Sequence, residues 1–529
     1  MTTATDPLAE LHAARRNHWN SWVATHAEMK PDGQALRYLG ETTTWRQLHD
    51  RSGRFADALA RRGVGKGDRV MLITLNNPEF VEAVLGINRI GAIAVPVNFR
   101  LTPGELAYLV SDCTPKVVVT DAVLAPLVGA IRAQGEEPGE HIVIGGERGV
   151  EAQTTYADAI AEEGAPHEPV DVPEDSTALI MYTSGTTGRP KGAMLSYENL
   201  TAQSLTCIRV FRLFDEEGRA LCAAPMFHIA ALGSIAPSLQ LGGVTVIHPL
   251  QEFDPAALLD TLEAEQITSI FLVPVQWQAV CAEQQARPRD LVLRNISWGA
   301  APSTDTILRA MSETFPDALN CAVFGQTEMS PITCALDGDD ALRKLGSVGK
   351  VIPTLQARVV DAFGEPVAPG EVGEIVYRGP TTMSGYWNKP EETAEAFEGG
   401  WFHSGDLVRM DDEGFVYVVD RKKDMIISGG ENIYCAEVEN TIAGHPRIRE
   451  VAVIGRKDDE WGEVPVAVVA LNEDEGPDLS LEELTEWLRD KLAGFKRPKH
   501  LVVVDELPRN ASGKVVKGTL RSEHGSVGV

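Results

Sequence analysis

The sequence predicts an α/β protein. It has a large N-terminal domain of doubly wound parallel sheet carrying a small antiparallel, β-barrel-like piece, and then a small α+β C-terminal domain. Three observations lead there. Short apolar runs rich in β-branched residues alternate with helix-patterned segments from Val70 to Phe315, the βα alternation of a sheet covered on both faces. The texture changes over Val348 to Tyr377 to alternating β-branched residues and turn signals such as Asp361-Ala362-Phe363-Gly364. At 529 residues the chain exceeds what one hydrophobic core usually organises.

The elements follow in order. Thr44 and Gln47 have the spacing of a capping box, and Leu48, Ser52, Phe55 and Leu59 then fall on one helical face that should end at Gly63. Strands are expected at Val70 to Thr74, Ala92 to Val97, Lys116 to Thr120 and His141 to Ile144, with helices at Pro78 to Arg89 and Pro103 to Leu109. Residues 145 to 175, rich in Gly and acidic side chains, read as a surface connection. A second series begins at Ala178. Leu221 to Pro225, Val244 to His248 and Ser269 to Val273 are its strands, and Pro255 to Glu265 and Thr304 to Phe315 its helices. Near the end, Met425 to Ile427, Val451 to Ile454, Val464 to Leu471 and His500 to Val504 read as strands. Helices lie near Ala436 to Ala443 and Leu481 to Leu492, the second opened by a Ser480–Glu483 capping box. The charged run Asp420-Arg421-Lys422-Lys423-Asp424 is unsuited to a core, which sets expected domains of 1–420 and 421–529.

Composition excludes several classes of function. With 43% hydrophobic and 23% charged residues the chain has ordinary globular content. A net charge of −28 repels nucleic acid and anionic lipid over most of the surface, so anionic substrates need local cations. Seven cysteines without a C-x-x-C pair suit reduced, buried thiols. The N-terminal stretch has no apolar h-region and no run approaches the roughly 20 residues of a membrane span, so a cytoplasmic protein is expected.

The most informative stretch is Tyr182-Thr183-Ser184-Gly185-Thr186-Thr187-Gly188-Arg189-Pro190-Lys191-Gly192, directly after the apolar run Ala178 to Met181. Glycines let backbone N–H groups turn toward one point, and hydroxyls with a lysine add donors there, an inventory that suits a polyphosphate. The spacing is not that of a Walker A loop. A solvated Gly/Thr-rich loop would read the same way in isolation.

Further segments carry chemistry-grade composition. Phe324-Gly325-Gln326-Thr327-Glu328 offers an aromatic face, a turn and a carboxylate suited to Mg²⁺ beside phosphate oxygens. Gly405-Asp406 offers a carboxylate for a ribose, Gly429-Gly430 bare backbone, and Ser512-Gly513-Lys514 a lone lysine. With Pro225-Met226-Phe227-His228, Gly299-Ala300-Ala301-Pro302 and the 420–424 run, these segments resemble, in order and spacing, the superfamily of adenylate-forming enzymes. That superfamily contains acyl-CoA synthetases, peptide-synthetase adenylation domains and luciferases. The resemblance covers Thr44 to Arg521; within it Asp420 to Tyr434 is similar to the acyl-CoA synthetases, and the whole resembles an actinobacterial fatty-acid–CoA ligase.

The resemblance implies a two-step reaction: a carboxylate and ATP give acyl-AMP and pyrophosphate, and coenzyme A then displaces AMP while a mobile C-terminal domain swings. It implies that Thr183, Ser184, Gly185, Thr186, Thr187, Gly188 and Lys191 cradle phosphates, that Glu328 binds Mg²⁺, and that Thr327 meets the α-phosphate. Phe324, with Gly325 and Gln326, would lie against adenine beside Gly299, Ala300 and Ala301. Asp406 and Arg421 would hold the ribose. Lys423 would be the hinge and Lys514 the catalytic lysine of adenylation. His228 would sit at the mouth of an acyl pocket with Ile229, where Trp277 and Trp298 would shorten or bend the channel. Gly429, Gly430 and the cluster Lys496-Arg497 would meet CoA.

Departures from the family pattern are Cys435 in place of Pro, Ser404 in place of Thr and Phe324 in place of Tyr. Cys435 raises a question of redox sensitivity. The leading expectation is a CoA ligase for a medium- to long-chain fatty acid. The alternatives are an acyl-AMP ligase that loads a carrier protein, and a CoA ligase for an aromatic, cyclic or sterol-derived acid. A non-enzymatic nucleotide sensor would predict loss of Lys514, Glu328 or the phosphate loop, and all are present.

Overall fold

A computed structural model describes residues 16–147, 154–162, 164–183, 189–213, 217–301, 303–458, 460–472, 479–509 and 515–525. They form two compact units, one of the described residues up to 183 with 189–356 and 377–402, the other of those in 357–376 and from 403 onward.

The first unit carries two sheets. In one, Ile93–Pro96, Arg69–Ile73, Val117–Asp121, Glu140–Ile144 and Thr154–Thr155 run parallel, and Thr177–Thr183 joins the other side of Ile93–Pro96, also parallel. Lys191–Ser196 and then Gly385–Tyr386 add antiparallel strands at that edge. In the other sheet, Val244–Ile247, Arg219–Cys222, Ser269–Leu272, Asn295–Gly299 and Leu319–Gly325 are parallel neighbours. Ile332–Leu336 and Gly349–Val351 follow antiparallel.

The helices form where capping and pattern direct. Trp45–Arg61 starts at a reciprocal box: the Thr44 hydroxyl accepts from the Gln47 N–H at 3.2 Å, and the Gln47 side chain accepts from the Thr44 N–H at 2.8 Å. Its buried face includes Leu48, Ser52, Phe55 and Leu59, as the spacing predicts. Pro78–Arg89 begins with Asn77 accepting from Phe80 N–H and Pro78 in the first turn, where a missing N–H costs nothing. Between helix and strand lies a core of Met71, Ile73, Val95, Leu106, Leu109 and Val118.

The segment 145–175 is not wholly a connection. It contains Thr154–Thr155 as an edge strand and a short helix, Tyr156–Ala161, whose Tyr156 is buried and stacks on Phe55. Two-residue strands and six-residue helices are too short to show a period in sequence.

The expected small β piece is a row of four strands, Gln356–Val360, Val372–Arg378, Phe402–Met410 and Phe415–Arg421, the last two an antiparallel hairpin. A second sheet pairs Ile448–Asp458 with Gly462–Leu471 antiparallel, flanked by Ile426–Ser428, Glu431–Ile433 and His500–Val503. The helices Cys435–Ile442 and Leu481–Leu488 bury Val438, Ile442, Leu484 and Leu488 against it. The compact units part earlier in the chain than residue 420, because the 402–421 hairpin continues the strand row of 356–378. Asp420, at the head of the charged run, is itself buried. Its carboxylate accepts from the backbone N–H groups of Arg421 at 2.7 Å and Ala436 at 3.3 Å, which compensates the buried charge.

Candidate functional site

The site begins with a hairpin. Thr177–Thr183 and Lys191–Ser196 pair antiparallel, with Thr183 directly opposite Lys191 at the base of the Gly/Thr-rich turn. The tip, Ser184, Gly185, Thr186, Thr187 and Gly188, lies outside the described residues. The Thr183 hydroxyl donates to Glu328 Oε1 at 3.2 Å, which joins the turn to the segment 324–328 across 145 residues. The Tyr386 hydroxyl donates to that same oxygen at 3.1 Å, and Lys191 Nζ lies 5.1 Å from the Tyr386 ring centroid. Glu328 is 7% exposed and sits in the 3₁₀ turn Thr327–Met329; its carbonyl accepts from Met383 N–H.

The strands beneath the turn are braced. Tyr182 O–H donates to Asp112 at 2.6 Å, and burial together with that carboxylate pushes its phenol well above the usual range. Lys389 Nζ meets the other Asp112 oxygen at 3.3 Å.

Tyr386 escaped the sequence reading. Its only local signal is an aromatic pair, Tyr386-Trp387, after Gly385, and its partner lies 58 residues away.

The other sheet supplies a second wall at the C-terminal ends of its parallel strands, where open α/β sheets place their ligands. Gly299 ends Asn295–Gly299 and pairs with Val323 of the neighbouring strand; Ala300 follows with φ of 63°, and Ala301 next. A non-glycine residue in the left-handed region is stored strain, and such strain gathers at functional sites. Phe324 and Gly325 end the adjacent strand, leading through Gln326 to Thr327. Gly325 has φ of 157°, and a Cβ there would lie 1.8 Å from Pro331 O, so no side chain fits. His228 immediately precedes the helix Ile229–Leu241, after the parallel strand Arg219–Cys222. Its ring lies 4.5 Å from that of Phe227, which meets Phe99 edge-on.

Both tryptophans are held by hydrogen bonds from their indoles. Trp277 is fully buried, with its indole N–H donating to Ser297 O at 2.9 Å and its ring edge-on to Phe315. It packs helix on strand. Trp298 is nearly buried and donates to Asn320 Oδ1 at 3.0 Å.

The second unit holds the remaining candidates. Asp406 and Arg421 face each other across the hairpin, Nε to Oδ1 at 2.9 Å. Beneath them Glu374 accepts from His403, from the Gly405 N–H and from Lys422. Burial works to raise its carboxyl, but these partners hold it below the usual range. Desolvation by its surroundings lowers the Lys423 ammonium. Gly429 and Gly430 take φ of 60° and 87°, and a Cβ on Gly429 would meet the Trp461 ring at 2.7 Å.

Lys496 is paired with Glu437 at 2.7 Å, and Arg497 donates to the carbonyls of Leu492 and Arg489, so their own chain engages both cations. Cys435 is buried with its thiol 2.9 Å from Asp424 O, and burial pushes it up to about 12, which favours the thiol over the reactive thiolate. Lys514 lies outside the described residues.

Comparison with known proteins decides the family. The model of the AMP-binding enzyme family matches residues 23–387, and that of the AMP-binding enzyme C-terminal domain matches 437–514. The chain belongs to the AMP-binding enzyme family. Among its relatives in that family, a feruloyl-CoA synthase from Amycolatopsis sp is 40% identical over 97% of this chain and 100% of its own. An indoleacetate–CoA ligase from Aromatoleum aromaticum is 36% identical, covering 95% and 97%. The long-chain-fatty-acid–CoA ligase FadD13 of Mycobacterium tuberculosis is 35% identical, covering 91% and 93%. A solved AMP-binding enzyme, the o-succinylbenzoate CoA synthetase of Bacillus subtilis, superposes with a TM-score of 0.82 in its acyl-adenylate complex. It is 31% identical and covers 94% of this chain and 97% of that one. It has also been solved with ATP and magnesium. With both family regions present and these relatives named as CoA ligases or synthetases, the protein is an AMP-forming acyl-CoA synthetase.

The residues fit a magnesium ion in one way. Among the described residues no three His, Cys, Asp or Glu side chains gather as a metal cage. The buried carboxylate of Glu328 is bonded to Thr183 at the base of the Gly/Thr-rich hairpin, and Mg²⁺ suits one protein carboxylate completed by phosphate oxygens and water. Among the described residues no helix is long and apolar enough to cross a membrane.

Proposed function

We propose that this synthetase activates an aromatic carboxylic acid of the arylpropenoic or arylacetic class, and that the fatty-acid expectation gives way to it. The supporting observation is full-length identity of 40% with a feruloyl-CoA synthase and 36% with an indoleacetate–CoA ligase, against 35% with the fatty-acid ligase. A cluster of rings, Phe99, Phe227 and His228, beside the position expected for the acyl group agrees with an aromatic guest, since rings favour edge-on and offset contacts.

The chemistry follows in two balanced steps. A carboxylate oxygen attacks the α-phosphorus of ATP and the bond to the β-phosphate oxygen breaks, giving acyl-AMP and pyrophosphate. The thiol sulfur of CoA then attacks the acyl carbonyl, the bond to the AMP oxygen breaks, and the thiol proton passes to solvent. The first step builds no bond to protein, so the chain's contribution is position and charge. Thr183 and Lys191 hold the β- and γ-phosphates, Thr327 the α-phosphate, and Phe324 with Gly299, Ala300 and Ala301 the adenine. Asp406 and Arg421 hold the ribose, and Lys514 supplies a cation to the developing charge. Glu328 would hold magnesium, which would supply positive charge against the phosphates.

Pyrophosphate release is the test, measured with ferulate, indoleacetate and fatty acids of graded length, each with and without CoA. Aromatic acids should give the higher kcat/KM, with AMP and the thioester formed only when CoA is present. Higher kcat/KM on any fatty acid sinks the aromatic reading, and turnover that stops at acyl-AMP with CoA present sinks the ligase.

A further inference from the structure

We infer that Tyr386 is a positioning residue for the metal-binding carboxylate, and that it couples this carboxylate to the phosphate-loop lysine. The inference rests on the reading of Glu328 as the magnesium carboxylate. Two hydroxyls, from Thr183 and Tyr386, donate to one oxygen of Glu328, at 3.2 and 3.1 Å. Two donors on a single oxygen fix the carboxylate in one orientation, and partners of this kind govern how well a ligand meets its metal.

The donors stand on different strands of one sheet edge, so their placement is a property of the fold. Thr183 ends Thr177–Thr183, while Tyr386 lies in Gly385–Tyr386, which pairs with Lys191–Ser196 through Gly385 to Met194 and Tyr386 to Ala193. Trp387 N–H donates to Gly192 O at 2.8 Å and Ser384 N–H to Met194 O at 2.9 Å, so backbone bonds clamp Tyr386 on both sides. Lys389 continues the brace to Asp112. The same ring that presents the hydroxyl to Glu328 lies under the Lys191 ammonium at 5.1 Å, within cation–π reach. One side chain thus orients a carboxylate through its edge and a phosphate-binding lysine through its face. Removal of the hydroxyl and removal of the ring should therefore have separable effects.

The experiment titrates ATP into the full-length protein by calorimetry at a series of free Mg²⁺ concentrations, without acid or CoA, with AMP as a metal-independent ligand. Tyr386→Phe should raise the Mg²⁺ concentration giving half of the metal-dependent gain in ATP affinity about 10- to 100-fold, and leave AMP affinity unchanged. Tyr386→Ala should in addition weaken ATP in the absence of Mg²⁺, because Lys191 loses its platform. Thr183→Val should shift the Mg²⁺ dependence in the same direction as Tyr386→Phe. Glu328→Gln separates the premises. If it leaves the Mg²⁺ dependence at the wild-type value, the metal reading itself fails and the Tyr386 role with it. If Glu328→Gln removes that dependence while Tyr386→Phe keeps the wild-type value, the metal reading stands and the role of Tyr386 is overturned. Equal loss of AMP and Mg-ATP affinity in Tyr386→Phe also overturns it, as the mark of a merely structural residue.

Discussion

Asp406 and Arg421 are directly opposed in an antiparallel hairpin, and the guanidinium Nε reaches the carboxylate at 2.9 Å while Arg421 stays 45% exposed. A carboxylate oriented in this way can accept the hydroxyls of a ribose. Asp406→Ala should raise the KM for ATP by roughly 10- to 100-fold, as expected for lost hydrogen bonds to a charged group worth about 1.5–3 kcal/mol. The wild type should prefer ATP over 2′-deoxy-ATP, and the variant should lose that preference. A variant that still discriminates between the two nucleotides would remove Asp406 from ribose binding.

Lys514 is assigned to the first half-reaction alone. Lys514→Ala should reduce acyl-AMP formation by orders of magnitude, since a positioned cation at phosphoryl transfer is worth several kcal/mol. Thioester formation from synthetic acyl-AMP and CoA should continue near the wild-type rate. Single-turnover measurements of each half separate the two, and an equal fall in both would refute the assignment.

Local signals were legible in the sequence, and long-range ones were not. Both capping boxes, Thr44 with Gln47 and Ser480 with Glu483, form as their three-residue spacing demands. Pro78–Arg89 has the bounds its composition predicts. Tyr386 was invisible because its meaning lies in Glu328 and Lys191, which pairing of separate strands brings to it. The partners of the Lys496–Arg497 cluster were hidden for the same reason. A run of cations looks free until the fold supplies Glu437 from 59 residues away.

The thiols are predicted to be inert in the native protein. All seven cysteines are free and buried, and burial pushes Cys113, Cys207, Cys222, Cys321 and Cys435 up to about 12 and Cys281 to about 11. Reaction needs the thiolate, so an aromatic disulfide reagent at neutral pH should label none before unfolding and all seven in strong denaturant. Rapid labelling of Cys435 in the folded enzyme would contradict its placement beneath Asp424.

Glu82 should make stability depend on pH in the direction opposite to an ordinary ion-paired carboxylate. It lies on Pro78–Arg89, 1% exposed, with Arg51 Nε at 2.6 Å, yet burial outweighs that partner and raises its carboxyl to about 7. Between about pH 4.5 and 7 the folded state keeps this proton while the unfolded chain releases it. The folded state then binds more protons, so stability falls as pH rises through that window and levels off above it. At about 1.4 kcal/mol per pK unit, the shift corresponds to a loss of about 3 kcal/mol across the window. Glu82→Gln removes the titration while keeping a group that accepts from Arg51. Urea unfolding of the wild type at pH 5 and at pH 8, set against the same pair for Glu82→Gln, isolates this component from every other carboxylate. The wild type should lose stability relative to the variant as pH rises. A difference between the two proteins that stays constant with pH would mean that Arg51 holds Glu82 ionised throughout.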